Sequence, residues 1–203
     1  MIDTPAEPVA LKAALREQAR KNRVAQLDKD AVSQRIVTAF MTLPEYVAAK
    51  TILFYVDAGS EVRTRHSLAG AIASGKRVVV PYCIVETNEL ELFLLEDMSE
   101  LVEGAYKILE PKVDLRSQPG TIVAPEDLDL VMVPGTAFDV SGGRMGQGKG
   151  YYDRMLARVR PNAPLVAIAF DCQIFDAIPV ASHDVFMDKV LTESRVLTGK
   201  GRK

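Results

Sequence analysis

The segment from Gly142 to Asp153, GGRMGQGKGYYD, places glycines beside cationic, aromatic and acidic side chains. Four glycines recur at intervals of two or three residues from Gly143 to Gly150. They let the backbone come close to a ligand and turn several N–H groups towards it. Arg144 and Lys149 add positive charge, and a helix that begins at the end of the segment would add the positive end of its dipole. These features predict a loop that binds phosphate.

Two common nucleotide-binding motifs match this loop incompletely. Gly143, Gly148 and Lys149 satisfy the GxxxxGK pattern of a P-loop. Gly150, however, stands where a Ser or Thr hydroxyl should bind magnesium. In the dinucleotide motif GxGxxG, Tyr151 would occupy the place of the third glycine, and the loop follows a late strand. A Walker-type NTPase and an NAD-binding domain are therefore both disfavoured.

A triphosphate bound without that hydroxyl needs other oxygen ligands for Mg²⁺, which is usually held by carboxylates, phosphates and water. Asp153, one turn into the following helix, is the nearest candidate. The simpler alternative is that the glycines only form a flexible turn. A binding function is favoured by the side chains that flank them, which are Arg144, Lys149, Tyr151, Tyr152 and Asp153.

The predicted strands are runs of apolar, often β-branched residues. Residues 51–56, 76–82, 128–134 and 164–170 are apolar on both faces. Residues 89–96 alternate as a half-exposed strand does. Strands buried on both faces and separated by helical segments predict an α/β fold, with a mostly parallel (mixed) sheet covered by helices on both faces.

The predicted helices begin at polar capping residues or at proline. Asp30 is expected to cap the second helix and Thr64 a later one. The first helix is expected to cover residues 9–25, with one apolar stripe formed by Leu11, Ala14, Leu15 and Ala19.

Three polar loops follow the predicted parallel strands, at residues 57–61, at residues 135–150 and from Asp171 onward. In such sheets, ligands bind beyond the carboxyl ends of the strands. The three loops are therefore predicted to share one site.

The size and charge of the chain disfavour several classes of protein. Its 203 residues suit one domain, predicted to cover residues 1–203. The net charge of -2 gives no global positive field for nucleic acid, and no apolar run approaches the ~20 residues that cross a bilayer. Cys83 and Cys172 lie in apolar runs and are predicted to be reduced, inert core residues. We expect a cytoplasmic monomer with small-molecule ligands and no nucleic-acid or membrane partner.

Residues 134–154, PGTAFDVSGGRMGQGKGYYDR, resemble the signature of the 5-formyltetrahydrofolate cyclo-ligase family, also called methenyltetrahydrofolate synthetases. Three further segments are similar to the family in the same order, at residues 12–23, 52–64 and 169–193. The resemblance implies a three-layer α/β fold. It also implies Mg²⁺-dependent conversion of 5-formyltetrahydrofolate and ATP into 5,10-methenyltetrahydrofolate, ADP and phosphate.

The resemblance further implies which residues bind ATP. Lys12 and Arg16 of the first helix would reach the phosphates, although on their own they are typical of a solvated helix face. The implied nucleotide contacts are Lys12, Arg16, Arg144, Met145, Gly146, Gln147, Gly148, Lys149, Gly150, Tyr151 and Tyr152.

The folate contacts are implied in the same way. Val56 would pack beside the pterin ring, and Glu61 would accept hydrogen bonds from its amino group and ring N–H as a bidentate pair. On its own, Glu61 is an ordinary loop carboxylate. Gln147 departs from close relatives, which often carry Arg or a small residue, so contacts there are expected to be weaker. The implied set is Val56, Glu61, Gln147, Gly148, Lys149, Gly150 and Tyr151.

Two carboxylates match the family's metal positions. They are Asp153 and Asp188, and the first agrees with the candidate deduced from the missing P-loop hydroxyl. Asp184 is left with a structural or supporting role. His66 and His183, the two histidines, accompany no nucleophile motif and are given no part in catalysis.

In the implied mechanism, the formyl oxygen attacks the γ-phosphate of ATP and creates an iminium phosphate. N10 of the folate then closes the ring, and phosphate leaves. Such a reaction asks the protein for positioning and charge neutralisation. The predicted catalytic residues are Arg144 and Lys149, which supply charge, and Tyr152, which contacts the reacting groups without acting as an acid or base.

Three other functions stay open at this point. A related enzyme with another substrate would keep the loop, but Glu61 favours folate. A non-catalytic folate-binding protein would not need Lys149, Asp153 and Asp188 together. An isomerase of similar α/β architecture would need a general base that the sequence does not identify.

Overall fold

The computed structural model describes residues 6–104, 107–181 and 184–202. Its described α-helices are α1 (Ala6–Ala25), α2 (Lys29–Met41), α3 (Pro44–Ala48), α4 (Arg65–Ala73), α5 (Val113–Arg116) and α6 (Tyr151–Leu156). Its strands are β1 (Thr51–Leu53), β2 (Arg77–Ile84), β3 (Glu89–Leu95), β4 (Leu101–Glu103), β5 (Leu109–Pro111), β6 (Leu130–Val133), β7 (Ala137–Asp139), β8 (Arg144–Met145), β9 (Leu165–Ile168), β10 (Ile174–Phe175), β11 (Lys189–Leu191) and β12 (Val196–Thr198). Within these ranges, no helix is long and apolar enough to span a membrane.

Seven strands form the main sheet, in the order β12-β11-β9-β6-β1-β2-β3. The five inner strands run parallel to their inner neighbours. The edge strands β3 and β12 pair antiparallel with β2 and β11. Burial of the inner strands on both sides explains why Leu130–Val133 and Leu165–Ile168 are continuous apolar runs. The predicted mostly parallel, mixed sheet is confirmed.

Helices pack on both faces of this sheet. Ile52 points into one hydrophobic layer, where α2 and α4 contribute Phe40 and Leu68. The next residue, Leu53, points into the opposite layer, where α6 contributes Leu156. Successive strand residues therefore bury their side chains in different layers. The predicted three-layer α/β fold is confirmed.

A second, three-stranded sheet in the order β10-β7-β8 carries the glycine-rich segment. Helix α1 packs on this small sheet, where Ala19 contacts a cluster that includes Ala137 and Met145. The predicted apolar stripe of α1 is wrong in part, because Ala19 is buried whereas Ala14 is exposed and Leu11 is 53% exposed. A narrow contact through a small side chain suffices, since α1 lies on the small sheet and not on the main core.

The start of α2 and the end of β1 differ from their predicted positions. Helix α2 begins at Lys29, after Asp28, so Asp30 lies in the first turn and pairs with Arg63 instead of capping the helix. Strand β1 ends at Leu53, although every residue from 51 to 57 is buried. After Leu53 the chain leaves the ladder and enters a buried loop, which the apolar pattern alone cannot distinguish from strand.

Asp57, in that loop, supplies the cap that was expected from Thr64. The hydroxyl of Thr64 donates to the carbonyl oxygen of Tyr55 at 2.6 Å, whereas the carboxylate of Asp57 accepts the backbone N–H groups of Thr64 and Arg65, both at 2.9 Å. The Arg65 guanidinium also pairs with Asp57 at 2.9 Å. Burial alone would raise the pKa of Asp57, but these hydrogen bonds outweigh it and hold the pKa below its ordinary value.

We expect Asp57→Asn to lower the free energy of unfolding by about 3 kcal/mol, because Arg65 and the first turn of α4 lose a buried carboxylate partner. The loss is limited because the Arg65 side chain is partly exposed to solvent. Since the pKa of Asp57 is lower in the folded protein, its contribution is complete above about pH 4 and is lost as the pH falls through the lowered pKa. Urea unfolding at several pH values measures both effects. The matched control is Asp30→Asn, which removes an exposed pair with Arg63 and should cost less than about 0.5 kcal/mol. Equal losses in the two variants would contradict a special role for Asp57.

Candidate functional site

A cleft of about 750 Å³ lies beyond the carboxyl ends of β1 and β6. It is lined by α1, the loop after β1, residues 134–136, and the glycine-rich segment with the start of α6. Pro81 and Cys83 of β2, Leu90 of β3, Ile108 and Glu110 at the start of β5, and Pro179 and Asp184 complete the described lining. The prediction that three loops share a site is confirmed for the first two loops. The third contributes Pro179 and Asp184, whereas Asp171 does not line the cleft and instead pairs with Arg195 at 3.2 Å.

The glycine-rich segment is held by β7 and β8. The carboxylate of Asp139 accepts the N–H groups of Ser141 and Gly143 at 2.9 and 2.8 Å, which closes the turn between these strands. Gly148 and Gly150 have φ angles of 92° and 73°, a left-handed backbone that side-chain-bearing residues rarely adopt. These two glycines let the chain turn sharply from β8 into α6. The full predicted set Met145, Gly146, Gln147, Gly148, Lys149, Gly150, Tyr151 and Tyr152 lines the cleft.

Helix α1 presents a row of cations to the cleft. Lys12 and Arg16, both predicted from the resemblance, line it, and so do Arg20 and Arg23. Arg16 donates from Nε to the carbonyl oxygen of Gly146 at 2.9 Å, so α1 contacts the glycine-rich segment directly. Sequence reasoning missed Arg20 and Arg23. Their spacing of four, four and three residues from Lys12 onward places all four cations on one helix face and was the available signal.

Arg144 and Asp153 form an ion pair inside the cleft. The Arg144 side chain is buried, and its guanidinium lies 5.8 Å from the ring centre of Tyr152. Its Nε atom is buried without a hydrogen-bond partner among the described residues. Asp153 is more exposed and faces the cleft. The pair therefore places a cation and a carboxylate side by side. Arg144 could bind an anionic ligand, and Asp153 could bind a cation.

Glu61 forms an acidic end of the cleft, in the loop after β1. Its Oε2 accepts the N–H of Ala58 at 3.1 Å, and its Oε1 lies 3.7 Å from the Arg23 guanidinium. Burial raises the pKa of Glu61, and attraction to Arg23 offsets part of that rise. The neighbouring Val56 is buried and lines the same cleft, as predicted for a ring contact.

Two tyrosines of the cleft, Tyr55 and Tyr152, lie within electrostatic reach of Glu61. Tyr55 is buried and donates its hydroxyl to the carbonyl oxygen of Val62 at 2.9 Å. Burial, and secondly the charge of Glu61, raise the pKa of Tyr152. Its phenol therefore stays protonated at neutral pH, which is consistent with a contact role and not with a base. The Tyr152 hydroxyl is buried without a hydrogen-bond partner among the described residues.

Asp188 does not come to the cleft. Its Oδ2 accepts the N–H of Leu165 at 2.7 Å, and its own N–H donates to the carbonyl oxygen of Leu165 at 2.9 Å. Leu165 starts β9, so Asp188 lies at the amino end of a parallel strand, opposite to the end where the cleft opens. The predicted metal pair of Asp153 and Asp188 is therefore not assembled here. Asp184 lines the cleft in its stead, 3.5 Å from Lys12.

The remaining candidates lie at the edges of the site or outside it. Cys83 lines the cleft and is half-buried, so its assignment to the core was wrong, and burial raises the pKa of its thiol. Cys172 is also a free, half-buried thiol with a pKa raised by burial. His66 is exposed on α4, away from the cleft. His183 lies outside the described residues.

Fold and site together define a three-layer α/β protein whose cleft joins a basic, glycine-rich loop to a buried carboxylate. The model of the 5-formyltetrahydrofolate cyclo-ligase family matches residues 8–193, so the chain belongs to this family and is a ligase of folate metabolism.

Individual relatives agree with this assignment. The 5-formyltetrahydrofolate cyclo-ligase of Escherichia coli K12 is 32% identical over 179 residues, which cover 87% of this chain and 96% of the relative. The Mus musculus protein of the same name is 32% identical over 159 residues, covering 73% and 76%. The NMR structure of 5,10-methenyltetrahydrofolate synthetase from Aquifex aeolicus superposes with a TM-score of 0.78 at 31% identity and covers 95% of each chain.

Proposed function

We propose that the protein converts 5-formyltetrahydrofolate and ATP into 5,10-methenyltetrahydrofolate, ADP and phosphate, with Mg²⁺ as the metal. One observation carries the proposal: a single cleft is lined both by a cationic glycine-rich loop and by the buried carboxylate of Glu61. The first suits a triphosphate and the second suits the donor edge of a pterin. The volume of about 750 Å³ lies within the range of ordinary ligand clefts.

ATP binding is supported by the cations that line the cleft near the glycine-rich segment. Arg144 is buried with only one carboxylate partner among the described ion pairs, and Arg16 already touches the loop at Gly146. Lys12, on α1 one turn before Arg16, lines the same cleft. The three cations and the N–H groups of the turn would neutralise and orient the phosphates, which is most of what phosphoryl transfer requires.

The residues of the cleft fit Mg²⁺ through the nucleotide and not through a protein cage. In the described part of the chain, no three His, Cys, Asp or Glu side chains cluster as a metal site. Mg²⁺ in nucleotide sites commonly uses one or two carboxylates and completes its shell with phosphates and water. Asp153 would hold it, and Asp184 is a second carboxylate that lines the cleft. When bound, the ion would help to neutralise the negative charge of the phosphates during transfer.

The formylfolate would lie with its pterin between Val56 and the tyrosines and with its donor edge on Glu61. The formyl oxygen then attacks the γ-phosphorus of ATP, the bond to the ADP oxygen breaks, and a formyl phosphate with iminium character forms. N10 attacks the activated carbon and loses its proton to the solvent, the carbon–oxygen bond breaks and phosphate leaves. Arg144 and Lys149 hold the transferred group, and Tyr152 packs at the junction of the two substrates.

The test is turnover by the purified protein. Mixed with 5-formyltetrahydrofolate, ATP and Mg²⁺, the wild-type protein should produce the absorbance of methenyltetrahydrofolate and one ADP for each product formed. The Asp153→Ala variant, prepared in parallel, should lose this activity. Activity should also stop when Mg²⁺ is chelated and return when it is restored. Absence of product above the Asp153→Ala background would overturn the proposal.

A further inference from the structure

We propose that Arg23 is a positioning residue for folate recognition, which keeps the Glu61 carboxylate ionised and pointed into the cleft. The inference rests on the proposed function, because it assigns a task to Arg23 at the folate end of the same site. Neither the glycine-rich loop nor the metal carboxylate takes part in it. Arg23 is expected to act through Glu61 and not by touching the reacting atoms.

Arg23 joins three separate segments at the folate end of the cleft. From α1, its Nε donates to the hydroxyl oxygen of Ser60 at 3.0 Å, and one terminal nitrogen lies 3.4 Å from the carbonyl oxygen of Gly135. The same nitrogen lies 3.7 Å from Oε1 of Glu61. Only 9% of the Arg23 side chain and 16% of the Glu61 side chain are exposed. A guanidinium with a fixed fork, held on both sides by neutral acceptors, can thus set the direction of its carboxylate partner.

Without Arg23, the surroundings of Glu61 would favour the protonated carboxyl. Burial raises its pKa, and the charge of Asp57 raises it further, although Asp57 is paired with Arg65. Tyr55 and Tyr152 also feel the charge of Glu61, and burial keeps both phenols protonated and neutral.

Two influences act in the other direction. The N–H of Ala58 donates to one carboxylate oxygen, and Arg23 attracts the other. Arg23 has the larger effect of the two, and among the described residues it is the cation that lowers the pKa of Glu61. Substituting Arg23 therefore removes the main force that keeps the carboxylate charged.

The charge matters because a pterin edge presents N–H donors. An ionised carboxylate accepts from both donors, whereas a protonated carboxyl turns one oxygen into a donor that meets an N–H head-on. If Arg23 only tied α1 to the two loops, its loss would weaken binding by the same factor at every pH. If Arg23 holds the charge of Glu61, its loss would make binding depend on pH.

The experiment measures the dissociation constant of 5-formyltetrahydrofolate by titration calorimetry from about pH 6 to about pH 9. We expect a nearly flat profile for wild type. For Arg23→Met, we expect a dissociation constant that rises about tenfold for each pH unit below the new pKa of Glu61. Arg23→Lys restores a cation and should return the profile most of the way towards wild type. ATP affinity, measured in parallel, should be the same in all three proteins.

The matched control is Asn22→Ala, one residue away on α1. Asn22 donates to the carbonyl oxygen of Cys172 at 2.9 Å and so also anchors the helix, but it does not line the cleft. This variant should lower the melting temperature and leave the folate profile flat. A constant factor at every pH for Arg23→Met, or no change, would overturn the inference alone. A wild-type protein that binds no formylfolate would overturn the proposed function and this inference with it.

Discussion

The Glu61→Gln variant is expected to bind 5-formyltetrahydrofolate about 30-fold more weakly than wild type, and ATP with unchanged affinity. Glutamine keeps one acceptor oxygen but replaces the other with an NH₂ group that opposes a pterin N–H. Hydrogen bonds to an ionised acceptor contribute about 1.5–3 kcal/mol, against about 0.5–1.5 kcal/mol for neutral ones, so a loss of about 2 kcal/mol is reasonable. Calorimetric titration with each substrate separately measures the effect.

The stability of this variant is expected to move in the opposite direction from its folate affinity. The pKa of Glu61 is raised even with Arg23 beside it, which means that the folded site favours the neutral form more than water does. The ionised carboxylate therefore lowers stability at neutral pH, and that cost grows as the pH rises from the unfolded pKa to the folded one. Gln, a neutral group of the same shape, should leave the melting temperature equal or higher. Equal losses of affinity for folate and ATP would contradict the assignment.

The buried, ionised Glu61 carboxylate, which lowers the stability of the fold, is hard to predict from sequence. Glu61 and Arg23 lie 38 positions apart, and each is an ordinary charged residue in its own segment. Their contact exists because α1 lies on the small sheet and crosses the end of the loop after β1. By contrast, the glycine-rich loop was predictable, since glycines, cations and Asp153 follow one another within one short segment and need no long-range contact to meet.

The fold was predictable where burial produces a recognisable pattern of apolar residues in the sequence. Leu130–Val133 and Leu165–Ile168 are apolar throughout because parallel strands are covered on both faces. The predictions failed where a buried strand and a buried loop produce the same apolar pattern. Residues 54–57 are as buried as β1, yet they leave its ladder, and only the pairing in three dimensions shows where the strand ends.

Asp188 illustrates a different limit. Its segment matches the family, but its carboxylate is bonded to the backbone at the start of β9. Position in a motif says which residues are alike between relatives, whereas the end of the strand on which a side chain lies decides what it can reach. Asp184, four residues earlier, is the one that lines the cleft.

The Asp153→Asn variant is expected to lose turnover by about 10³-fold while binding Mg²⁺-free ATP about tenfold more tightly than wild type. The loss follows because Asp153 is the carboxylate that we propose as the metal ligand. The gain follows because Arg144 is paired with Asp153 in the free protein, so a phosphate must first compete with that carboxylate. Asn removes the competitor and one negative charge from a buried cation. Calorimetry with ATP in the presence of a chelator, and absorbance assays with Mg²⁺, measure the two effects.

The same ion pair makes the reciprocal variant informative. Arg144→Met should lower turnover by about 10²–10³-fold, the range seen when one preorganised charge partner of a transition state is removed, and it should weaken ATP binding with and without Mg²⁺. Glu126→Gln breaks the exposed pair with Arg158 outside the cleft and should change neither quantity. If Asp153→Asn weakened Mg²⁺-free ATP as strongly as Arg144→Met, the carboxylate would not be competing with phosphate for Arg144. Asp153→Asn should thus strengthen the binding of Mg²⁺-free ATP, whereas Arg144→Met should weaken it. This difference tests whether phosphate displaces Asp153 from Arg144, which leaves the carboxylate available to the metal.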